Sequence, residues 1–288
     1  MKKFLAIALA AVMLFALAAC GGDKATDGNA DETKAVKVID INLTEEEYAF
    51  GVDKAQPELL ADVNAFIEKI MKDGTFDDIC DNYFGDGTPV AVTSAELDET
   101  KDQLVVATNA AFEPFEYTEG DKYYGIDMEI AALLAKELGK ELVINNMDFD
   151  AVCLSVGQHK CDIAMAGLTV KEDRKEHVDF TSTYYEASQK LIVKGDDTTF
   201  DACADAAAVE AILKGLDNTT KIGVQNGTTG NFYVKGDAEW GFDGFAVECV
   251  GYKNGALAVQ DLVNGNINYV VIDAAPAICI ADAINEVA

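Results

Sequence analysis

The chain has 288 residues, half of them hydrophobic, enough for one large domain or for two of about 100–150 residues each. Its 51 acidic residues outweigh 22 basic ones and leave a formal charge of −29, which argues against nucleic acid, whose phosphates need a basic surface. Two histidines and seven cysteines without a CxxC pair offer no zinc spacing, so neither a metal nor another cofactor is expected.

Residues 1–19 read as a targeting leader: Lys2 and Lys3 precede an apolar run from Phe4 to Ala19 that is short for a spanning helix. Cys20 follows that run, and residues 20–35 have the Gly, Asp, Thr and Lys content of a solvated tether. Strands are predicted over 36–41 and 47–52. Residues 57–71 set Leu59, Leu60, Val63, Phe66, Ile67 and Ile70 on one face of a helix that Pro57 opens. A second short helix over 76–84 stops at Gly85, and residues 86–102 read as a linker.

From residue 103 the pattern alternates. A β-branched run over 103–108 is a buried strand, 127–138 a helix ended by Gly139, 141–147 a strand, 149–157 a short helix and 161–166 a strand. This order predicts right-handed crossovers and a parallel sheet covered on both faces. Ligands of such sheets sit at the carboxyl ends of the strands, where the loops 109–112, 147–149 and 166–169 lie. An extended segment over 184–194, an alanine-rich helix over 201–213 and a strand over 221–225 follow. After that strand, NGTTGNFYVK puts glycines ahead of a helix N-terminus, a setting that suits an anion. It is not a phosphate loop, because Asn231 and Phe232 follow Gly230 where Lys and Ser or Thr are required. A helix over 254–263 and a buried strand over 269–272 lead to Asp273.

Two charged residues carry chemistry. Arg174 is the only arginine in the chain, and its planar fork can grip a carboxylate with two parallel hydrogen bonds. A surface role within KEDRKEH is equally open on residue type alone. Asp273, at the end of an apolar strand, can pair with a buried ammonium or cap the helix that begins at Ala274. Cys80, Cys153, Cys161 and Cys279 fall on apolar faces as small hydrophobes, with a Cys153–Cys161 bridge as an option.

The blocks ATNAAFEPFEY, YYGIDMEIA, MDFDAV, DIAMAGLTVKEDRKEHVDFTSTYYE, KIGVQNGTTG and YVVIDAAPA, in that order, resemble the polar amino-acid-binding solute receptors of ABC importers, family 3 of the solute-binding proteins. The resemblance implies an α/β, two-lobe fold of the periplasmic-binding-protein type II, with two crossing hinge strands and no enzymatic activity. LAAC at 17–20 resembles a lipobox, which implies cleavage before Cys20 and its acylation. Residues 36–85, with EEEY, PELL, DGTF and YFG, resemble the segment that ends the family's chains, so the order of this chain looks circularly permuted. Lobe 1 is then expected over 47–187, with the linker inside it, and lobe 2 over 36–46 plus 188–288.

By resemblance, Arg174 clamps the ligand carboxylate, with backbone N–H groups of Thr169 and Thr229 beside it at the Thr228 turn. Asp273, the carbonyl of Ala166 or Gly167 and the Thr169 hydroxyl receive the ammonium. Phe112 and Phe149 flank the side chain, and Asn109 and Gln225 sit where its tip is read. A neutral Asn109 favours a neutral polar amino acid such as glutamine. The implied partners are a free amino acid, an ABC permease and, through Cys20, the lipid bilayer, with the protein a monomer outside the cytoplasm. A non-transport amino-acid sensor is the alternative, and a small-carboxylate dehydratase on the same fold a more distant one.

Overall fold

The computed structural model describes residues 34–287; the leader, Cys20 and most of the tether lie outside the described residues. In chain order, β1 (Val36–Ile39), β2 (Glu46–Tyr48) and β3 (Gly51–Asp53) precede two helices, α1 (Pro57–Asp73) and α2 (Thr75–Phe84). Next come β4 (Gln103–Thr108), a hairpin of β5 (Tyr117–Glu119) and β6 (Lys122–Tyr124), α3 (Ile126–Glu137) and β7 (Glu141–Asn146). A 3-10 turn at Phe149–Ala151 leads into α4 (Val152–Gly157), followed by β8 (Ile163–Ala164), α5 (Glu172–Lys175), β9 (Val178–Phe180), β10 (Tyr185–Ala187) and β11 (Gln189–Lys194). The remainder is α6 (Ala206–Lys214), β12 (Lys221–Gln225), α7 (Thr229–Lys235), β13 (Glu248–Tyr252), α8 (Gly255–Val263), β14 (Tyr269–Asp273) and α9 (Ala274–Val287).

Two five-stranded sheets organise these elements. The first runs β7-β4-β8-β3-β9 and the second β1-β11-β14-β12-β13. A two-stranded antiparallel ribbon, β2 with β10, lies apart from both, pairing Tyr48 with Tyr185 and Glu46 with Ala187. The expected two-lobe α/β architecture with two crossing strands is therefore present. Its first sheet is not all parallel. β4 runs parallel to β7 and β8, but β3 runs antiparallel to β8 and β9. The cause is that β3 enters from the ribbon rather than through a helical crossover, so no connection constrains its direction.

The predicted strand over 47–52 is also broken in two. β2 pairs in the ribbon and β3 in the first sheet, and the chain changes partners at Ala49 and Phe50, where Ala49 N–H donates to the Leu168 carbonyl at 3.0 Å. Helix α1 buries Leu59, Val63, Phe66, Ile67 and Ile70 as the period requires, with Leu60 only half-buried on its flank. Gly74, at φ 86°, ends α1 in the left-handed conformation and at once starts α2.

The segment 86–102 is more than a linker. Ala95 N–H donates to the Leu142 carbonyl and Ile144 N–H to the Ser94 hydroxyl, both at 2.8 Å, so this segment lies along the outer edge of β7. Val92 is buried and exchanges two backbone hydrogen bonds with Tyr123. Covering an edge strand in this way removes a template for aggregation. The Asn285 side chain of α9 accepts from Val36 N–H at 3.1 Å and donates to the Val36 carbonyl at 3.0 Å, which ties the end of α9 to the start of β1. None of the six cysteines among the described residues is paired; Cys153 and Cys161 are buried thiols.

Candidate functional site

Strand β8 pairs over two residues only, shorter than the predicted 161–166, because the chain turns at Gly167 with φ 52°. The turn is anchored by α3: Asp127 Oδ2 accepts from Gly167 N–H at 2.9 Å, and its other oxygen accepts from the Tyr184 hydroxyl at 2.6 Å. A side chain at 167 would press its Cβ within 3.0 Å of the Phe112 ring. Glycine is thus required there both for the left-handed backbone and for the close approach of that ring.

The turn delivers Thr169 and, one short helix later, Arg174. Both are buried. The Arg174 guanidinium donates from Nη1 to the Thr169 carbonyl at 2.7 Å and from Nη2 to the Gly227 carbonyl at 3.0 Å. Its Cζ stands 5.2 Å from the centre of the Phe149 ring, a cation–π distance. The single arginine is therefore an interior group between the two sheets, and the surface alternative does not apply. Its two carbonyl partners come from opposite sides of the cleft, one from the loop after β8 and one from the loop after β12.

Asp273, at the end of β14, is buried, and its Oδ1 accepts from the Tyr48 hydroxyl at 2.5 Å. Ala274 N–H donates instead to the Ser188 carbonyl. Burial first, and the charge of Glu46 second, push the Asp273 carboxyl up to about 7. Burial likewise raises Asp127 to about 7 and Glu116 well above the usual carboxylate range.

Phe112, Phe149, Gly167, Thr169 and Arg174 from one side and Thr228, Thr229 and Asp273 from the other enclose a cavity of about 10 Å³, room for one water. Eight of the eleven sequence-derived ligand residues thus meet around one space. Ala166 is wholly buried behind Gly167 and is not part of that lining. Asn109 and Gln225 face each other instead: Gln225 Nε2 donates to Asn109 Oδ1 at 3.1 Å, and Asn109 Nδ2 to the Met147 carbonyl at 2.6 Å. Thr228 turns its hydroxyl back onto the Gln225 carbonyl at 2.8 Å. A larger cavity of about 860 Å³ lies beside the ribbon and shares only Thr169 with this lining. The smaller one is the cavity whose lining includes both Arg174 and Asp273.

Three residues of the neighbourhood escaped the sequence reading. Glu46 is buried and accepts from the hydroxyls of Thr44 and Thr169. Glu116 is wholly buried, and neither of its carboxyl oxygens has a hydrogen-bond partner. Lys171, buried as well, reaches from the α5 side to the α7 side. Its Nζ is 3.2 Å from Asp237 Oδ2, 3.2 Å from the centre of the Phe232 ring and 5.8 Å from that of Trp240. Only Glu46 had a sequence signal, its i,i+2 spacing from Tyr48 on a strand.

Residues 104–268 match the model of the bacterial extracellular solute-binding proteins, family 3. The chain belongs to this family. Among relatives of this family-3 protein, the arginine-binding extracellular protein ArtP of Bacillus subtilis is 38% identical over 96 residues, 33% of this chain and 38% of that one. The chain spans 38% to 64% of the length of the first three curated relatives it matches. Among solved structures, an ancestral amino acid-binding protein, AncCDT-1, described as a precursor of cyclohexadienyl dehydratase, superposes with a TM-score of 0.54 at 29% identity, over 63% of this chain and 74% of that one. An ancestral arginine-binding protein bound to glutamine gives a TM-score of 0.51 at 30% identity, over 64% and 74%. These named relatives are binding proteins, and the family-3 protein shares their two-lobe fold. No helix among the described residues is long and apolar enough to cross a membrane.

Proposed function

We propose that this family-3 protein binds a free L-amino acid between its lobes and presents the closed form to an ABC permease. The observation that carries this reading is the convergence of Arg174, on α5 of one lobe, and Asp273, at the end of β14 in the other, on one enclosed space lined by Thr169 and Thr229. An α-amino acid offers opposite charges on one carbon. A guanidinium fork on one lobe and a carboxylate on the other can hold both only when the lobes are together, so the ligand favours closure by its differential affinity for that state. The cavity of about 10 Å³ is too small for an amino acid, so the ligand must enter an opened cleft and displace the Arg174 contacts to the Thr169 and Gly227 carbonyls. Replacing Arg174 with Ala is expected to lower amino-acid affinity by about 100-fold or more in calorimetry while the folded spectrum is kept. Unchanged affinity would reject the site.

The amide pair Asn109–Gln225 supports a neutral polar ligand such as glutamine, since two amides can rotate to give one donor and one acceptor to a third. A cationic ligand is the second reading. It is favoured by the arginine named in relatives of this chain. A thermal-shift panel of the twenty amino acids separates the two; a ligand at 100 times its Kd stabilises by about 2.7 kcal/mol. Sensing without transport would use the same cleft, and a permease and ATPase encoded beside the gene would favour import.

The acylated Cys20, the membrane anchor and the monomeric state belong to this reading as proposals. So does the permuted order, with lobe 1 at 47–187 and lobe 2 at 36–46 and 188–288. The Asn285–Val36 contact supports it, because it leaves the two points that a conventional order would join side by side.

A further inference from the structure

Strand β2 is buried at Glu46 and Tyr48 and exposed at Glu47, the alternation of a strand with one face inward. Neither lines the small cavity itself, but each hydrogen-bonds a residue that does. The Tyr48 hydroxyl holds Asp273, while Glu46 receives three neutral donors: the Thr44 hydroxyl at 2.6 Å, the Thr169 hydroxyl at 2.7 Å and Gln189 Nε2 at 3.0 Å. Gln189 stands directly opposite Asp273 in the β11–β14 register, so one amide side chain lies between the two acids. Among the described residues no ion pair includes Glu46, although the residue is only 6% exposed. Glu46 also lines the larger cavity beside the ribbon, and there too no cation pairs with it among the described residues.

The Thr169 hydroxyl has one proton and two lone pairs. Its proton is given to Glu46, and the Thr229 hydroxyl donates to one lone pair at 3.3 Å. What remains toward the cavity is an acceptor. A cationic group entering beside Asp273 would find that acceptor and, one bond behind it, a second negative charge. We infer that Glu46 is a positioning residue for the ligand's ammonium: it fixes the Thr169 hydroxyl as an acceptor and supplies, with Asp273, the charge that the ammonium neutralises. The inference rests on the amino-acid reading of the cleft.

The test separates the amine from the rest of the ligand. L-Glutamine and L-arginine are compared by calorimetry with their des-amino analogues, 4-carbamoylbutanoate and 5-guanidinopentanoate, using whichever pair binds the wild-type protein. Glu46→Gln is expected to weaken the amino acid by about tenfold or more and its des-amino analogue by less than about twofold, the loss of one charge-assisted contact. Glu47→Gln, on the other face of the same strand, is expected to change neither. Should Glu46→Gln not fold, Thr169→Val must show the same selective loss, with Glu46→Asp retaining binding. Equal loss of both ligands, or no loss, overturns the role given to Glu46 while leaving the cleft's assignment intact. A wild-type protein that binds none of the twenty amino acids overturns the assignment itself, and this inference with it.

Discussion

On the proposed reading of the cleft, Asp273 gives up its proton when an amino acid binds. Burial and the charge of Glu46 raise its carboxyl to about 7, and an ammonium can pair with it only in the ionised form. Binding below pH 7 therefore releases a proton, and affinity is expected to fall by up to about tenfold per pH unit below that point, roughly 1.4 kcal/mol each. Stability of the empty protein runs the other way. Its folded-state value lies above the ordinary 3.8, so this group favours the folded state most at acid pH, and the contribution is lost as pH rises through about 7; Asp127 shares the sign. The empty protein should melt at higher temperature at pH 5.5 than at pH 8, while its ligand binds more weakly. Calorimetry and thermal melts across this range check both, and an affinity independent of pH would mean that Asp273 stays ionised when empty. At this scale the sequence was legible where a residue type is rare. One arginine among 22 basic residues drew the eye to Arg174. Glu46 is one of three consecutive glutamates, and composition cannot say which of them faces inward; only the alternation set by Tyr48 does. Glu116 was hidden for the opposite reason, since an acid in FEPFEY reads as a polar loop residue until tertiary packing closes over it.

Elements whose own periodicity marks both ends, such as β4, β12 and α1, were legible nearly to the residue. Those shaped by distant partners were not. The break between β2 and β3 and the antiparallel run of β3 arise from contacts with residues more than 100 positions away, and the short β8 from a turn held by Asp127 and Phe112; no local pattern records either. The strap over β7 was missed likewise, because Val92 in DGTPVAVTSAEL carries the composition of a loop. The loop around α5 holds the clearest element-scale consequence. Lys171 sits three residues before Arg174 and crosses to Asp237 and the Phe232 and Trp240 rings of the other lobe. It does not line the cavity between Arg174 and Asp273. Beside a same-lobe ion pair with Asp173 at 3.4 Å, these cross-lobe contacts exist only while the lobes are together, so they act on the closed state alone. Lys171→Gln is expected to cost the closed form about 1–2 kcal/mol, seen as roughly tenfold faster ligand dissociation with little change in association. Stopped-flow release that is as slow in the variant as in the wild type would remove Lys171 from the closure.

For the whole molecule, chain order and architecture separate. The sheets pair β1 with β11 across more than half the sequence, and β3 with β8 and β9 across more than 100 positions. A sheet responds to which strands are adjacent in space and not to the order in which the chain visits them, provided the connections can reach. The reading of a permuted order therefore makes a strong demand. A chain that begins at residue 86, runs to 287 and continues through a short Gly-Ser joint into 34–85 should recover the same fold. Starting at 86 keeps the strap, with buried Val92 and the Ala95–Leu142 hydrogen bond, along β7. The joint is short because Asn285 already bonds to Val36, and loop closure grows only by about 0.6 kcal/mol for each doubling of length, so a few added residues weigh little. The rearranged protein is expected to melt within a few degrees of the original and to bind the same amino acid within about threefold. If it instead fails to fold, or folds and loses its ligand, the ends at Val36 and α9 are not interchangeable with the strap as breakpoints, and residues 36–85 hold their places for reasons other than a reshuffled family order.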